Sequence, residues 1–150
     1  MANVVFNRAK ARFADGTFDW DSGSQDFGVL LVNASFTNPP DPDLDLVDDI
    51  TPGTTECAGG TYVRKLLASR VVVQDDTNNL AQLNAAALTW TALTVTGNTV
   101  RGAIVYRRTT QGVDDNATDQ LVCFIDANPD RVTNGGDVVL TFTNGVCRFS

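Results

Sequence analysis

The chain has 150 residues and a formal net charge of −7, from 18 acidic and 11 basic residues, and it contains no histidine. This length predicts one domain with a sizeable core. The acidic balance argues against nucleic acid as a partner, because phosphate binding needs a basic face. The lack of histidine excludes imidazole catalysis and histidine-ligated zinc.

Aspartate accounts for 17 of the acidic residues. Because aspartate favours turns and caps, where glutamate favours helices, this bias predicts a loop-rich β protein. No apolar run approaches the roughly 20 residues that cross a bilayer, so no membrane partner is expected. The N-terminus lacks the charged start and apolar stretch of a signal peptide, so we expect synthesis in a cytoplasm.

The first segment, residues 1–16, falls outside the β pattern and carries a basic cluster. Phe6, Ala9 and Phe13 recur at helical spacing, which predicts a short helix or an extended arm. Residues 17–150 are predicted to form a single β domain. The side chains of the first segment that we expect to contact another subunit are Arg8, Lys10, Arg12 and Phe13.

A strand is predicted over Phe27 to Val32, which is apolar on both faces as a central strand is. Residues 33–60 hold four of the five prolines and five aspartates, which predicts a long loop excursion over the surface. One helical turn is expected within it, around Leu44 to Ile50. Excursions of this length are usually functional or form interfaces. The acidic side chains that we expect to contact another subunit are Asp41, Asp43 and Asp45.

The acidic run that begins at Asp41 is not an EF-hand. The sixth and twelfth positions of such a loop require glycine and glutamate, and they are Leu46 and Pro52. A looser calcium or magnesium site stays open as an alternative to a solvated or partner-facing loop. No cofactor is expected.

Strand signals then recur about every ten to fifteen residues, which is the rhythm of a sandwich or barrel. The chain ends in a predicted hairpin, in which Asn144-Gly145 forms a type I′ turn between strands over 136–142 and 146–149. The predicted fold class is all-β, an antiparallel β-sandwich of jelly-roll-like form. The other predicted strands are 62–67, 70–74, 80–84, 88–96, 100–107 and 121–125, with polar loops over 111–119 and 127–135.

The three cysteines form no CxxC pair and are too few for a four-thiolate zinc site. Cys123 alternates with Leu121 and Ile125, so it is predicted to point inward. For Cys147 the pattern fits either face of the strand. Cys57 lies in a predicted mobile loop, and it is the one cysteine expected to be exposed. Free thiols are the default after cytoplasmic synthesis, and an inter-chain disulfide through Cys57 is the sharper hypothesis.

Several segments resemble a family of small tailed-bacteriophage virion proteins, the capsid decoration or accessory head proteins. The segments occur in order along most of the chain, and none is a chemical motif. They are Asn7 to Lys10, Gly16 to Asp21 leading into Val29 to Val32, Val71 to Asn78, Leu88 to Trp90, Arg101 to Tyr106 and Asn134 to Asp137.

The resemblance implies a structural virion protein without enzymatic activity, which coats and stabilises a phage capsid. Its expected partners are the major capsid protein and copies of itself. Lattice symmetry favours a homotrimer at local three-fold positions. The expected location is the capsid surface of the virion, after synthesis in the host cytoplasm.

Two other functions stay open. One is a neck, tail or fibre component of the same virion. The other is a carbohydrate-binding sandwich, which would need exposed aromatic side chains. The aromatic residues concerned sit mostly in strand patterns, so core packing is the stronger interpretation; they are Trp20, Trp90, Tyr62 and Tyr106.

Overall fold

The structure is a computed structural model that describes residues 3 to 149. Within that range the chain forms ten strands, two α-helices and a 3-10 helix over Val47–Ile50. The helices are α1 (Asn7–Ala14) and α2 (Pro52–Thr55). The strands are β1 (Val4–Val5), β2 (Phe27–Val32), β3 (Lys65–Leu66), β4 (Val71–Asp75), β5 (Leu80–Asn84), β6 (Leu88–Trp90), β7 (Thr99–Arg107), β8 (Gln120–Val132), β9 (Val138–Leu140) and β10 (Cys147–Phe149).

The strands form three antiparallel sheets in the described part of the chain. The largest sheet has five strands in the order β1-β8-β7-β2-β3. The second has the order β10-β5-β4, and the third pairs β6 with β9. The predicted all-β, antiparallel class is confirmed. None of the helices over residues 3 to 149 combines the length and apolar character that a membrane crossing requires.

Strand β2 lies inside the five-stranded sheet, and all of its residues are buried. Phe27 and Val29 belong to one apolar cluster, the first core. Leu30 and Val32 belong to a second apolar cluster, the second core. Because side chains alternate between the faces of a strand, the two cores lie on opposite sides of the sheet. The predicted central strand is confirmed with the same bounds.

The first core joins the five-stranded sheet to the two smaller sheets and to α1. Leu83 of β5, Trp90 of β6 and Cys147 of β10 lie in the same cluster as Val29. Ala9 of α1 is fully buried in it. One face of the central sheet is therefore covered by α1, which lies between β1 and β2 in sequence, by β5 and β6, which lie between β3 and β7, and by β10, which follows β8.

The second core is covered by the excursion over residues 33–60. Phe36, Val47 and Ile50 of this segment are buried against Leu30 of the sheet. Backbone hydrogen bonds hold its two ends, since the amide of Asn33 donates to the Thr55 carbonyl at 2.8 Å and that of Cys57 to the Leu31 carbonyl at 2.8 Å. The segment therefore forms one layer of the domain. The predicted helical turn within it is the 3-10 helix.

The N-terminal segment packs on the body of the domain. Val4 of β1 pairs with Phe124 of β8, an interaction that the sequence patterns did not indicate. Phe6, which precedes α1, is fully buried in the second core. Of the two predicted forms of this segment, the helix is the one observed, and Gly16 follows it with a φ of +75°. Glycine adopts this left-handed conformation without steric cost.

The prediction of a C-terminal hairpin is wrong. Strand β9 pairs with β6, whereas β10 pairs with β5 in another sheet. Gly145 has a φ of +77°, but Asn144 does not have a positive φ, so the turn is not the type I′ turn that joins hairpin strands. The amide of Gly145 donates to the Phe142 carbonyl at 3.0 Å. The turn therefore carries the chain from one sheet to the next.

Several strand boundaries differ from the predicted ones, because each strand extends only as far as it pairs with a neighbour. The predicted loop over 127–135 is partly strand, because β8 continues to Val132 and pairs again with β7 beyond a register shift. The predicted strands over 62–67 and 88–96 shorten to the two residues of β3 and the three of β6. The predicted strand over 80–84 is confirmed with the same bounds.

The close approach of β2 to β7 predicts a cost for any side chain at Gly28. A Cβ atom there would lie 2.5 Å from the hydroxyl oxygen of Tyr106, which is fully buried. We expect Gly28→Ala to lower the free energy of unfolding by about 1 to 3 kcal/mol, as overpacking does, measured by urea unfolding. Gly23→Ala is the control, because no atom lies within 4 Å of a Cβ at that position. Equal stability of the two variants would contradict this packing.

Candidate assembly surface

The basic helix and the acidic excursion lie against each other in one chain. Arg8 Nη1 lies 3.1 Å from Asp45 Oδ2. Asn7 Nδ2 donates to Asp43 Oδ1 at 2.6 Å, and the Asn7 amide donates to the Pro42 carbonyl at 2.8 Å. The structure therefore brings together two segments that were expected to contact other subunits. Contacts of either segment with another subunit stay a prediction.

The remaining candidates on α1 also bind within the chain. Lys10 Nζ donates to Asn7 Oδ1 at 3.1 Å, and Arg12 Nη1 lies 3.3 Å from Asp15 Oδ2. The ring centroid of Phe13 lies 5.3 Å from that of Phe18, in an edge-on arrangement. Phe13 therefore packs inward, onto the first core.

The acidic side chains of the excursion accept hydrogen bonds from its own backbone. Asp41 Oδ1 accepts from the Asp43 amide at 3.0 Å. Asp49 Oδ2 accepts from the amides of Asp45 and Leu46 at 3.0 and 2.8 Å. These contacts are the turn and capping roles that aspartate favours. Over residues 3 to 149, no three acidic or thiol side chains converge as metal ligands would.

Cys57 is buried, so the expectation that this cysteine is exposed is wrong. It is 2% exposed within the first core, and its thiol donates to the Thr99 carbonyl at 3.9 Å. Burial and the nearby Glu56 carboxylate raise the pKa of the Cys57 thiol to about 12. The excursion returns to the sheet at this residue, which explains its burial. The inter-chain disulfide stays a prediction that would require this segment to open.

The other two cysteines face each other across the first core. Cys123 is fully buried, which confirms its predicted inward orientation, and Cys147 is 2% exposed. Burial and the hydrogen bond with the Cys147 thiol raise the pKa of Cys123. Both side chains are free thiols.

A polar network around Glu56 holds the end of the excursion to the segment before β3. Arg64 Nε and Nη2 donate to the two carboxylate oxygens of Glu56 at 2.8 and 2.6 Å. Tyr62 Oη donates to the same carboxylate at 2.8 Å and accepts from the Leu31 amide at 3.0 Å. Burial and the Glu56 charge raise the pKa of Tyr62. Glu56 is the single glutamate among 18 acidic residues, and no sequence motif indicates its role.

A second network holds the polar loop over residues 111–119. Tyr106 Oη and Arg108 Nε both donate to Asp114 Oδ1, at 2.5 and 2.6 Å. Arg64 Nη2 reaches the same loop by donating to Asn116 Oδ1 at 2.9 Å. The charged groups of both networks are thus bonded to other segments of the same chain, and they position those segments.

The aromatic side chains that a sugar-binding surface would need lie mostly in the interior. Trp20 and Trp90 are each 2% exposed, and Tyr106 is fully buried. Tyr62 is half-buried and hydrogen-bonded within the Glu56 network. Core packing of these residues, the stronger interpretation of the sequence, is confirmed.

The exposed apolar side chains concentrate in one stretch of sequence. Of the eight large hydrophobic residues that the described chain exposes, five fall within residues 63–73. Val71, Val72 and Val73 are consecutive residues of β4, and we call them the valine edge. The other two are Val63 and Leu66. The sequence pattern predicts a strand for these valines but does not indicate that they are exposed.

Replacing Glu56 by glutamine is expected to destabilise the protein strongly. Glu56→Gln removes the charge that pairs with Arg64, and both side chains are at most 15% exposed. Because a poorly solvated charge loses its partner, we expect the free energy of unfolding to fall by about 3 kcal/mol in urea unfolding. Asp130→Asn is the matched control, since its ion pair with Arg101 is more exposed and should contribute less than about 1 kcal/mol. A similar loss in both variants would argue against this role of Glu56.

The second network predicts a dependence of stability on pH. Burial raises the pKa of Asp114, but hydrogen bonds from Arg108 and Tyr106 outweigh it and lower the pKa below its ordinary value. A carboxyl with a lowered folded-state pKa stabilises the protein above its unfolded pKa, and this stability is lost as the pH falls through the folded pKa. The stability difference between the unmodified protein and Asp114→Asn should therefore shrink below about pH 4 in thermal unfolding. A difference that stays constant into strong acid would contradict the assignment.

Comparisons with protein-family models, with curated proteins and with solved structures found no match to this chain. The resemblance to phage virion proteins therefore rests on the sequence segments that carry it.

Proposed function

We propose that this protein is a non-enzymatic structural component of a bacteriophage virion that coats and stabilises the capsid. Its partners in this proposal are the major capsid protein and further copies of the same chain. The proposal joins the family resemblance to one structural observation, the concentration of exposed apolar side chains in residues 63–73.

That concentration supports a protein partner. Both faces of the central sheet are covered by the chain itself. Five apolar side chains of residues 63–73 remain exposed outside the two cores. Three of these side chains, those of the valine edge, are consecutive in β4. A contiguous exposed apolar patch is typical of a site of protein contact. A coat protein needs such surface toward its neighbours.

The polar side chains support a structural role in a different way. Glu56 and Asp114, which have the shortest ion pairs among the described residues, are each bonded to an arginine and to a tyrosine of the same chain. These contacts connect the excursion, the segment before β3 and the loop over 111–119. They hold these segments in fixed positions relative to one another.

The arrangement of the three sheets supports a β-sandwich. The three-stranded and two-stranded sheets share the first core with the five-stranded sheet, as the second layer of a sandwich would. We propose a β-sandwich of jelly-roll-like form, an architecture that limits exposed edges and is common in viral coat proteins. The excursion adds a further cover on the far face.

The proposal is tested by mixing the purified chain with empty heads of the phage that encodes it. We expect the chain to sediment with the heads, to saturate at a fixed ratio to the major capsid protein, and to raise the temperature at which the heads rupture. The control is an unrelated acidic β protein of similar mass, which should stay in the supernatant. A chain that stays with that control, or that binds only purified tails, would contradict the capsid assignment.

A further inference from the structure

Strand β4 presents an apolar edge that the chain leaves open. Val71, Val72 and Val73 are 47%, 52% and 38% exposed. The strand occupies the end of its sheet and pairs with β5 alone. Its other edge forms no backbone hydrogen bond with residues 3 to 149. A free edge of this kind is a template for a further strand.

The other sheet edges in the described range are blunted, which singles out β4. Strands β1 and β3 have two residues each, and β3 includes Lys65. Strands β6, β9 and β10 have three each, and β10 includes Arg148. Short edges and basic side chains are the devices that prevent pairing between molecules. Strand β4 has five residues, no lysine or proline, and an unbroken register with β5.

One face of β4 also extends beyond the core. Val72 pairs with Leu83, which in turn pairs with Cys147, so the three side chains share a face of the sheet. Leu83 and Cys147 are buried on that face, yet Val72 is 52% exposed. An open groove at this end of the sheet is lined by the apolar side chains of Val72, Leu80, Ala81 and Phe149 together with the polar side chains of Gln74, Asp75, Asp76 and Asn79. Apolar surface is therefore available beside the edge as well as along it.

We propose that β4 pairs antiparallel with β4 of a second copy of this chain, across a two-fold axis, with Val72 opposite Val72. In this register Val71 of each copy lies opposite Val73 of the other, so every valine of the edge meets a valine. Cross-strand pairs of β-branched residues stabilise antiparallel sheets. This inference rests on the proposed function, which requires contacts between copies of the chain. It identifies β4 as the strand through which two copies bind.

The charges at the ends of β4 favour the antiparallel arrangement. Arg70 precedes the strand, and Asp75 and Asp76 end it. Antiparallel pairing sets the acidic end of each strand beside the Arg70 end of the other. Within its own chain, Arg70 Nη2 donates to the Ser22 carbonyl at 2.6 Å. Parallel pairing would bring the acidic ends together, which like charges oppose. This matters for a chain with a net charge of −7, since two copies repel each other overall.

The first test is the mass in solution. By sedimentation equilibrium we expect the unmodified protein to have about twice the 16.1 kDa mass of one chain. Val72→Lys places two like charges opposite each other on the axis, so its dimer should dissociate at least about tenfold more readily. Val113→Lys is the matched control, because Val113 is 51% exposed in a loop and should leave the dimer unchanged. Thermal unfolding verifies that both variants are folded.

The second test determines whether residue 72 of one copy lies opposite residue 72 of the other. Val72→Cys should give a dimer that resists detergent, through one symmetric disulfide, when oxygen with a copper catalyst oxidises two thiols to the disulfide. Val113→Cys should stay unlinked, and the three native cysteines are buried, so the background is low. A linked Val72→Cys dimer supports the register.

Several outcomes would overturn the inference. A monomer or a homotrimer of the unmodified protein would do so, as would an undiminished dimer of Val72→Lys or an unlinked Val72→Cys dimer. The binding of the chain to empty heads is measured separately, so the pairing can fail while the capsid function stands. Failure of head binding with an intact dimer would reject the capsid function and leave the pairing.

Discussion

The requirement that both faces of β2 be covered governs this structure. The strand is apolar throughout and fully buried, and its side chains alternate between two separate cores. Fully burying one such side chain contributes about 1.5 to 3 kcal/mol, so neither face can stay open to water. The smaller sheets and α1 cover the first face. The excursion over residues 33–60, with Phe6, covers the second.

Covering the sheet from within the chain changes the role of the charged segments. Arg8 and Asp45 pair between the helix and the excursion, and the turns of the excursion are capped by Asp41 and Asp49. The Arg8–Asp45 pair is partly exposed and contributes little by itself. Its position shows how the N-terminal segment and the excursion dock side by side. Most of the large apolar side chains that the described residues expose lie elsewhere, within residues 63–73.

Two polar networks fix the ends of the covering segments. The Glu56–Arg64 pair anchors the end of the excursion, and Asp114 anchors the loop over residues 111–119 through Tyr106 and Arg108. A poorly solvated charge that loses its partner is costly, so the Glu56–Arg64 pair strongly disfavours other placements of its segment. The domain therefore combines apolar layers, which supply most of the burial, with a few polar contacts that select one arrangement.

Local pattern by itself determined the β class, the bounds of β2 and β5, the N-terminal helix as one of two forms, and the inward face of Cys123. Alternation and turn chemistry are properties of neighbouring residues, so they can be read along the chain. The tertiary structure alone decided that β9 and β10 pair in different sheets and that Cys57 is buried. It also decided that the valine edge is open, because a run of valines has the same pattern in a central strand as at an edge. Pairing and burial depend on which distant segments cover a strand, and local sequence does not contain that information.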